Sequence, residues 1–124
     1  MLDLRTDNVY ELLHQSHMLG PKIIVITDGK HGANVLDTYE SMFYSTKPVH
    51  LKIKETTGAG DAFASAFAAG KIIGKNSEYA LRLGMINAES VIQYKGAKNI
   101  LLGEKAFDYA DKDQRIVYRS HHKI

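Results

Sequence analysis

The chain has 124 residues, enough for one domain or part of one, and its 44% apolar content suits a globular core. Its 16 basic and 14 acidic side chains leave a net charge of +2, too little to imply nucleic acid or an anionic membrane as a partner. Having no cysteine, it can hold no disulfide framework, thiolate zinc site or cysteine nucleophile. The opening "MLDLRTDN" lacks the basic-then-apolar order of a signal peptide, and no stretch is long and apolar enough to span a bilayer. These features predict a soluble, cytoplasmic protein.

In chain order, "NVYELLHQSHML" places Val9, Leu12, Leu13 and Leu19 near a helical period and predicts an amphipathic helix, ended by Gly20-Pro21. "KIIVIT", Lys22 to Thr27, is a continuous β-branched run, the pattern of a strand buried on both faces as in a parallel sheet. After the turn "DGKHG", "ANVLDTYESMFYS" reads as a hairpin reversing over Asp37 to Glu40. "VHLKIK" alternates apolar and polar residues and predicts a strand with one wet face. From Asp61 to Ile73 the residues are good helix formers, apolar nearly all round, which predicts a buried helix. Asn76-Ser77 reads as the cap of a further helix through Leu81, Met85, Ala88 and Ile92, closed by Gly96. "EKAFDYA" predicts a short last helix and "RIVY" a final short strand. Mixed strands and helices around a buried strand predict a layered α/β fold.

The chemistry concentrates in "KETTGAGDAFASAFAAG". A helix start presents backbone N–H groups without partners inside the helix, and with the macrodipole these attract an anion. Glycine lets a ligand approach the backbone closely. Gly58-Ala59-Gly60, after the polar Thr56-Thr57 pair, therefore reads as an oxyanion or phosphate cradle. Asp61 stands where a base could accept a proton from a hydroxyl attacking a bound phosphate. A first-turn acid also favours the helix dipole by itself, and spacing alone leaves both readings open. Other glycine motifs fail: the third glycine of a dinucleotide fingerprint is replaced by Phe63, and Gly70-Lys71 is followed by Ile72 and has no glycine five residues earlier.

"TTGAGDAFASAFAAG" resembles the C-terminal signature of the ribokinase-like, PfkB-type sugar kinases, D-T-x-G-A-G-D followed by a small-residue helix. "ITDGKHGA" resembles that family's T-x-G-x-x-G strand–turn segment, and "INAESVIQYKGAKNILL" its adenine-side helix and the G-A turn after it. Three segments in the right order make the likeness specific. It implies a three-layer ribokinase-like α/β sandwich, with residues 1–124 as the C-terminal part of the domain and the N-terminal substrate and lid half absent. Met1 is then expected to mark a truncated or split gene product, or a fragment.

The resemblance implies an ATP-dependent phosphotransferase acting on a hydroxymethyl group of a sugar. A nucleoside kinase of the same family is the alternative, and so is a non-catalytic, nucleotide-binding or assembly half that needs a partner chain. It implies Asp61 as the base and Gly58, Ala59 and Gly60 as the anion hole. Thr27, Gly29 and Gly32 would line the phosphates and ribose of ATP, and Asn87, Gly96 and Ala97 would lie near the adenine. Mg²⁺ would accompany ATP. A monovalent cation such as K⁺ would be held beside the anion hole by Glu55, which stands in place of the usual Asp, and Thr57. The expected partners are a small-molecule sugar or nucleoside, and either a second copy or a complementing N-terminal half.

Lesser features take plainer readings. His14 and His17, three apart on a helix, are surface residues, and His121-His122 belong to a solvated terminus. His31 lies in the phosphate-side turn. Glu89 is expected to face solvent, and Gly84 to permit close helix packing.

Overall fold

The structure is a computed structural model that describes residues 9–27, 32–47, 58–93 and 105–121. Its elements are α1 (Val9–His17), β1 (Ile23–Thr27), β2 (Ala33–Asp37), β3 (Met42–Thr46), α2 (Ala59–Ile72), α3 (Ser77–Gln93), α4 (Lys105–Lys112) and β4 (Val117–His121). The four strands form one sheet in the order β1-β2-β3-β4, each pair antiparallel. The hairpin read at Asp37 to Glu40 is present, with Asp37 opposite Met42 and Val35 opposite Tyr44. The strand read as "VHLKIK" and the cap at Gly96 lie outside the described residues.

Two expectations about buried elements are corrected. β1 is not a parallel strand buried on both faces: it pairs antiparallel with β2, and its five residues are partly buried or exposed. Only five residues separate Thr27 from Ala33, and a parallel neighbour would need a long crossover. α2 is not buried all round either. Ala62, Phe63, Phe67 and Gly70 are buried, while Ala64, Ser65, Ala68 and Ala69 on the opposite side are exposed. Among the described residues the helix has neighbours on one side only, and small alanines tolerate water on the other.

Side chains alternate across a sheet, and this separates the layers. Ala33 and Val35 of β2 join Tyr44, Phe63, Phe67, Ala80, Leu81, Met85 and Val117 in one core, beneath α2 and α3. Leu36, on the other face, is fully buried, as is Leu13 of α1, which lies against β1 and β2. Helix, sheet and helix pair are the three layers. α2 and α3 approach closely because glycine lies on their seam. A Cβ at Gly84 would stand 2.6 Å from the Phe63 ring, and one at Gly70 would meet Leu83 at 3.1 Å. Phe63 in turn stacks on Phe67, with ring centroids 6.0 Å apart. Burying each ring contributes about 1.5–3 kcal/mol.

Polar side chains tie the ends together. Fully buried Asp37 accepts the backbone N–H groups of Tyr39 (2.9 Å) and Glu40 (3.1 Å), closing the hairpin turn. Its second oxygen accepts the Ser77 hydroxyl and faces Lys71 of α2 at 3.4 Å. Glu40 accepts the Ser77 N–H at 2.8 Å and the Tyr44 hydroxyl at 2.6 Å. Asn76 caps α3, its Oδ1 accepting the Tyr79 N–H at 2.8 Å. At the far end Arg115 pairs with Glu89 and, at 2.5 Å, with Asp113, and Arg82 donates to the Arg115 carbonyl at 2.9 Å. Glu89 is thus buried rather than solvent-facing, because residues 113–115 fold over that part of α3. No helix among the described residues is long and apolar enough to cross a membrane.

Candidate functional site

The N-terminus of α2 is built by Gly58. Its φ of 85° and ψ of −11° are left-handed, a conformation costing other residues roughly 1–2 kcal/mol. That turn opens the helix at Ala59, and the Ala62 N–H makes the first bond, to the Gly58 carbonyl at 3.0 Å. Gly58 has no side chain with which to cap the helix. The N–H groups of the first turn, before Ala62, therefore have no partner within the helix, and Gly58 and Gly60 beside them are exposed.

Gly60 needs no unusual φ, and a Cβ added to it meets nothing within 4 Å among the described residues. Packing among the described residues does not require glycine there. Asp61 is exposed in the same turn. As a first-turn acid it favours the helix dipole, which needs no hydrogen bond, and its exposure equally suits a base. A glycine-flanked helix start favours an anion, and a carboxylate such as Asp61 beside it is a group that could accept a proton.

Asn87 of α3 reaches the same turn. Its side chain is buried, and Nδ2 donates to the Ala62 carbonyl at 2.8 Å. The structure thus gathers Gly58, Ala59, Gly60 and Asp61 in one helix start and ties Asn87 to Ala62, the residue after Asp61. Thr27 and Gly32 belong to a second place, the adjoining ends of β1 and β2. Thr27 is exposed and pairs with Ala33. Gly32 has φ of +96°, and a Cβ there would fall 2.0 Å from the Thr46 carbonyl oxygen, so strand packing alone demands glycine. Gly29, Glu55, Thr57, Gly96 and Ala97, like His31 and His122, lie outside the described residues.

Among the described residues no group of three or more His, Asp or Glu side chains could hold a metal ion. His14 and His17 are partly buried on α1, where His17 Nδ1 stands 3.0 Å from the Pro21 carbonyl oxygen, and His121 is exposed on β4.

The polar knot at Asp37 escaped the sequence reading. Burial opposes ionisation of Asp37, but the hydrogen bonds from Ser77 and the turn, together with the Lys71 charge, outweigh it and hold the carboxyl below its usual range. Burial and the Glu40 carboxylate push the Tyr44 hydroxyl upward, so it stays a proton donor. The only sequence signal was Asp37 opening a four-residue reversal, the place where an Asp side chain closes its own turn.

A model of the pfkB family of carbohydrate kinases matches residues 3–102. An ATP-dependent 6-phosphofructokinase of Thermoanaerobacterium thermosaccharolyticum is 38% identical over 79 residues, covering 64% of this chain and 24% of that protein. A cytidine kinase of Thermococcus kodakarensis is 38% identical over 80 residues, covering 64% and 29%. The solved structure of Arabidopsis thaliana ribokinase with ribose and ATP superposes with a TM-score of 0.64 at 28% identity, covering 76% of this chain and 30% of that one. The chain therefore spans between 24% and 30% of the length of these proteins.

Proposed function

The chain belongs to the pfkB family of carbohydrate kinases, and from that premise we propose that it carries the phosphoryl-transfer part of an ATP-dependent kinase acting on a hydroxymethyl group of a sugar. The observation that carries this reading is the start of α2 on a left-handed glycine, with exposed Gly58 and Gly60 and with Asp61 in its first turn. In the proposed reaction the N–H groups from Gly58 to Asp61 receive the charge developing on the transferring phosphoryl group. Asp61 takes the proton of the attacking hydroxyl as the O–P bond forms and ADP leaves. Thr27, Gly29 and Gly32 would follow the nucleotide phosphates, and Asn87, Gly96 and Ala97 would lie on the adenine side.

Mg²⁺, held by ATP oxygens and water, would neutralise phosphate charge when bound. A K⁺ ion beside Glu55 and Thr57 belongs to the same reading. The acceptor's binding surface is assigned to polypeptide beyond this span, either a complementing N-terminal half or a partner chain in the cytoplasm. It would also cover the exposed Ala64, Ala68 and Ile72 side of α2.

A nucleoside acceptor is the second reading, favoured by the likeness to a cytidine kinase. Titration with ATP, followed by amide signals, tests the core of the proposal. Gly60 and Asp61 should shift with ATP and respond alike in the presence of ribose, fructose 6-phosphate or cytidine. Selective tight binding of one acceptor by this chain alone would contradict the division of labour. Silence of both signals towards ATP would contradict the site.

A further inference from the structure

Buried amides are costly unless their hydrogen bonds are made, so the buried Asn87 side chain has a purpose in the α2–α3 seam. Its Nδ2 donates to the Ala62 carbonyl at 2.8 Å, across a sequence separation of 25 residues. Within a helix that carbonyl already serves the ladder, and its second lone pair accepts Asn87. Ala62 immediately follows Asp61. One residue further, Phe63 presses its ring on Gly84, three residues before Asn87 on α3. The first turn of α2 is therefore held at two points by one face of α3, a hydrogen bond and a ring in a glycine notch. Two residues beyond Asn87, Glu89 pairs with Arg115, which fastens that part of α3 to the segment leading into β4.

We propose that Asn87 is a positioning residue: its side-chain amide fixes the first turn of α2 and so the direction in which Asp61 and the N–H groups beside it face the transferred phosphate. This rests on the kinase reading above and deepens it. The adenine-side role that resemblance implies for Asn87 does not require a bond to α2. The bond gives the residue a second task, at the reacting end of the nucleotide. A bare helix start frays; one pinned from a neighbouring helix keeps its donors aimed.

The test uses the whole chain with Asn87→Ala, the milder Asn87→Ser, and Asn87→Gln, which retains an amide donor. Amide hydrogen exchange of Ala62 and Phe63 should accelerate at least tenfold in the first two variants. Phe67 to Lys71 should stay within about twofold of wild type, and Asn87→Gln should restore most of the protection. A loss of general stability would instead accelerate all of α2 together, and that result overturns the proposal. In the same samples ATP-induced shifts at Gly60 and Asp61 should require at least tenfold more nucleotide in Asn87→Ala or Asn87→Ser. Unchanged ATP response despite a loosened first turn also overturns it. A wild-type chain whose Gly60 and Asp61 ignore ATP overturns the kinase reading on which the role rests. First-turn exchange equal to wild type overturns the role of Asn87 with that reading intact.

Discussion

Gly60→Ala separates a glycine kept for folding from one kept for a ligand. Gly60 lies in the first turn of α2, has no positive φ, and a Cβ added there meets nothing within 4 Å among the described residues. Alanine can take that conformation without strain. It also reduces the freedom of the unfolded chain, which is worth about 0.4–1 kcal/mol in favour of the folded state. For a chain of this size that raises Tm by a few degrees. In the proposed cradle the same methyl would crowd a phosphate approaching the first-turn donors. Losing that approach should weaken ATP binding by tenfold or more, about 1.4 kcal/mol. Thermal denaturation and ATP titration of the one variant read both numbers. A protein that is more stable yet binds ATP poorly fits a ligand site. Destabilisation would mean that the space is not open. Unchanged ATP affinity with raised stability would refute the cradle.

Other substitutions probe the neighbouring claims. With an acceptor sugar and a complementing half, Asp61→Asn should lower kcat by about 10²–10⁴-fold, with little change in KM for ATP; replacing this first-turn acid should cost only the helix-dipole interaction, about 0.3–1 kcal/mol of stability, and near-normal turnover would sink its role as base. The Asp37 carboxyl ionises more readily in the folded state than its ordinary value of 3.8, so its contribution is complete above the unfolded pKa and is lost as pH falls below about 4 through the lowered folded value. Urea denaturation at pH 7 and pH 3 should therefore show a smaller acid loss in Asp37→Asn than in wild type, and an equal loss would count against the knot. Gly84→Ala drives a Cβ into the Phe63 ring at 2.6 Å and should destabilise by about 1–3 kcal/mol; Phe63→Leu in the same chain should recover part of that, and a wild-type melting curve for Gly84→Ala would disprove the close seam.

Local chemistry made much of the molecule readable from its sequence alone. Helix periods marked α1 and α3, alternation and a turn acid marked the β2–β3 hairpin, and Asn76 before Ser77 marked a cap that the structure realises through the Tyr79 N–H. The glycines before α2 identified the candidate site, and three ordered segments identified the family, because such motifs are set by neighbours in the chain. What lay beyond was decided by residues far apart. A run of β-branched residues cannot say which strand will lie beside it, and pairing with β2 made β1 antiparallel. An alanine-rich helix looks buried on every side, yet only contact with α3 and the sheet determined that Ala62, Phe63, Phe67 and Gly70 are the covered face. Glu89 reads as a surface acid until Arg115, 26 residues away, closes over it, and Asp37 and Ser77 meet across 40. Asn87 belonged on the adenine side by resemblance, and only packing brought its amide to the Ala62 carbonyl. Turns and periods follow from bond geometry over a few residues, whereas these polar pairings exist only after hydrophobic burial has brought distant segments together and removed water from between them.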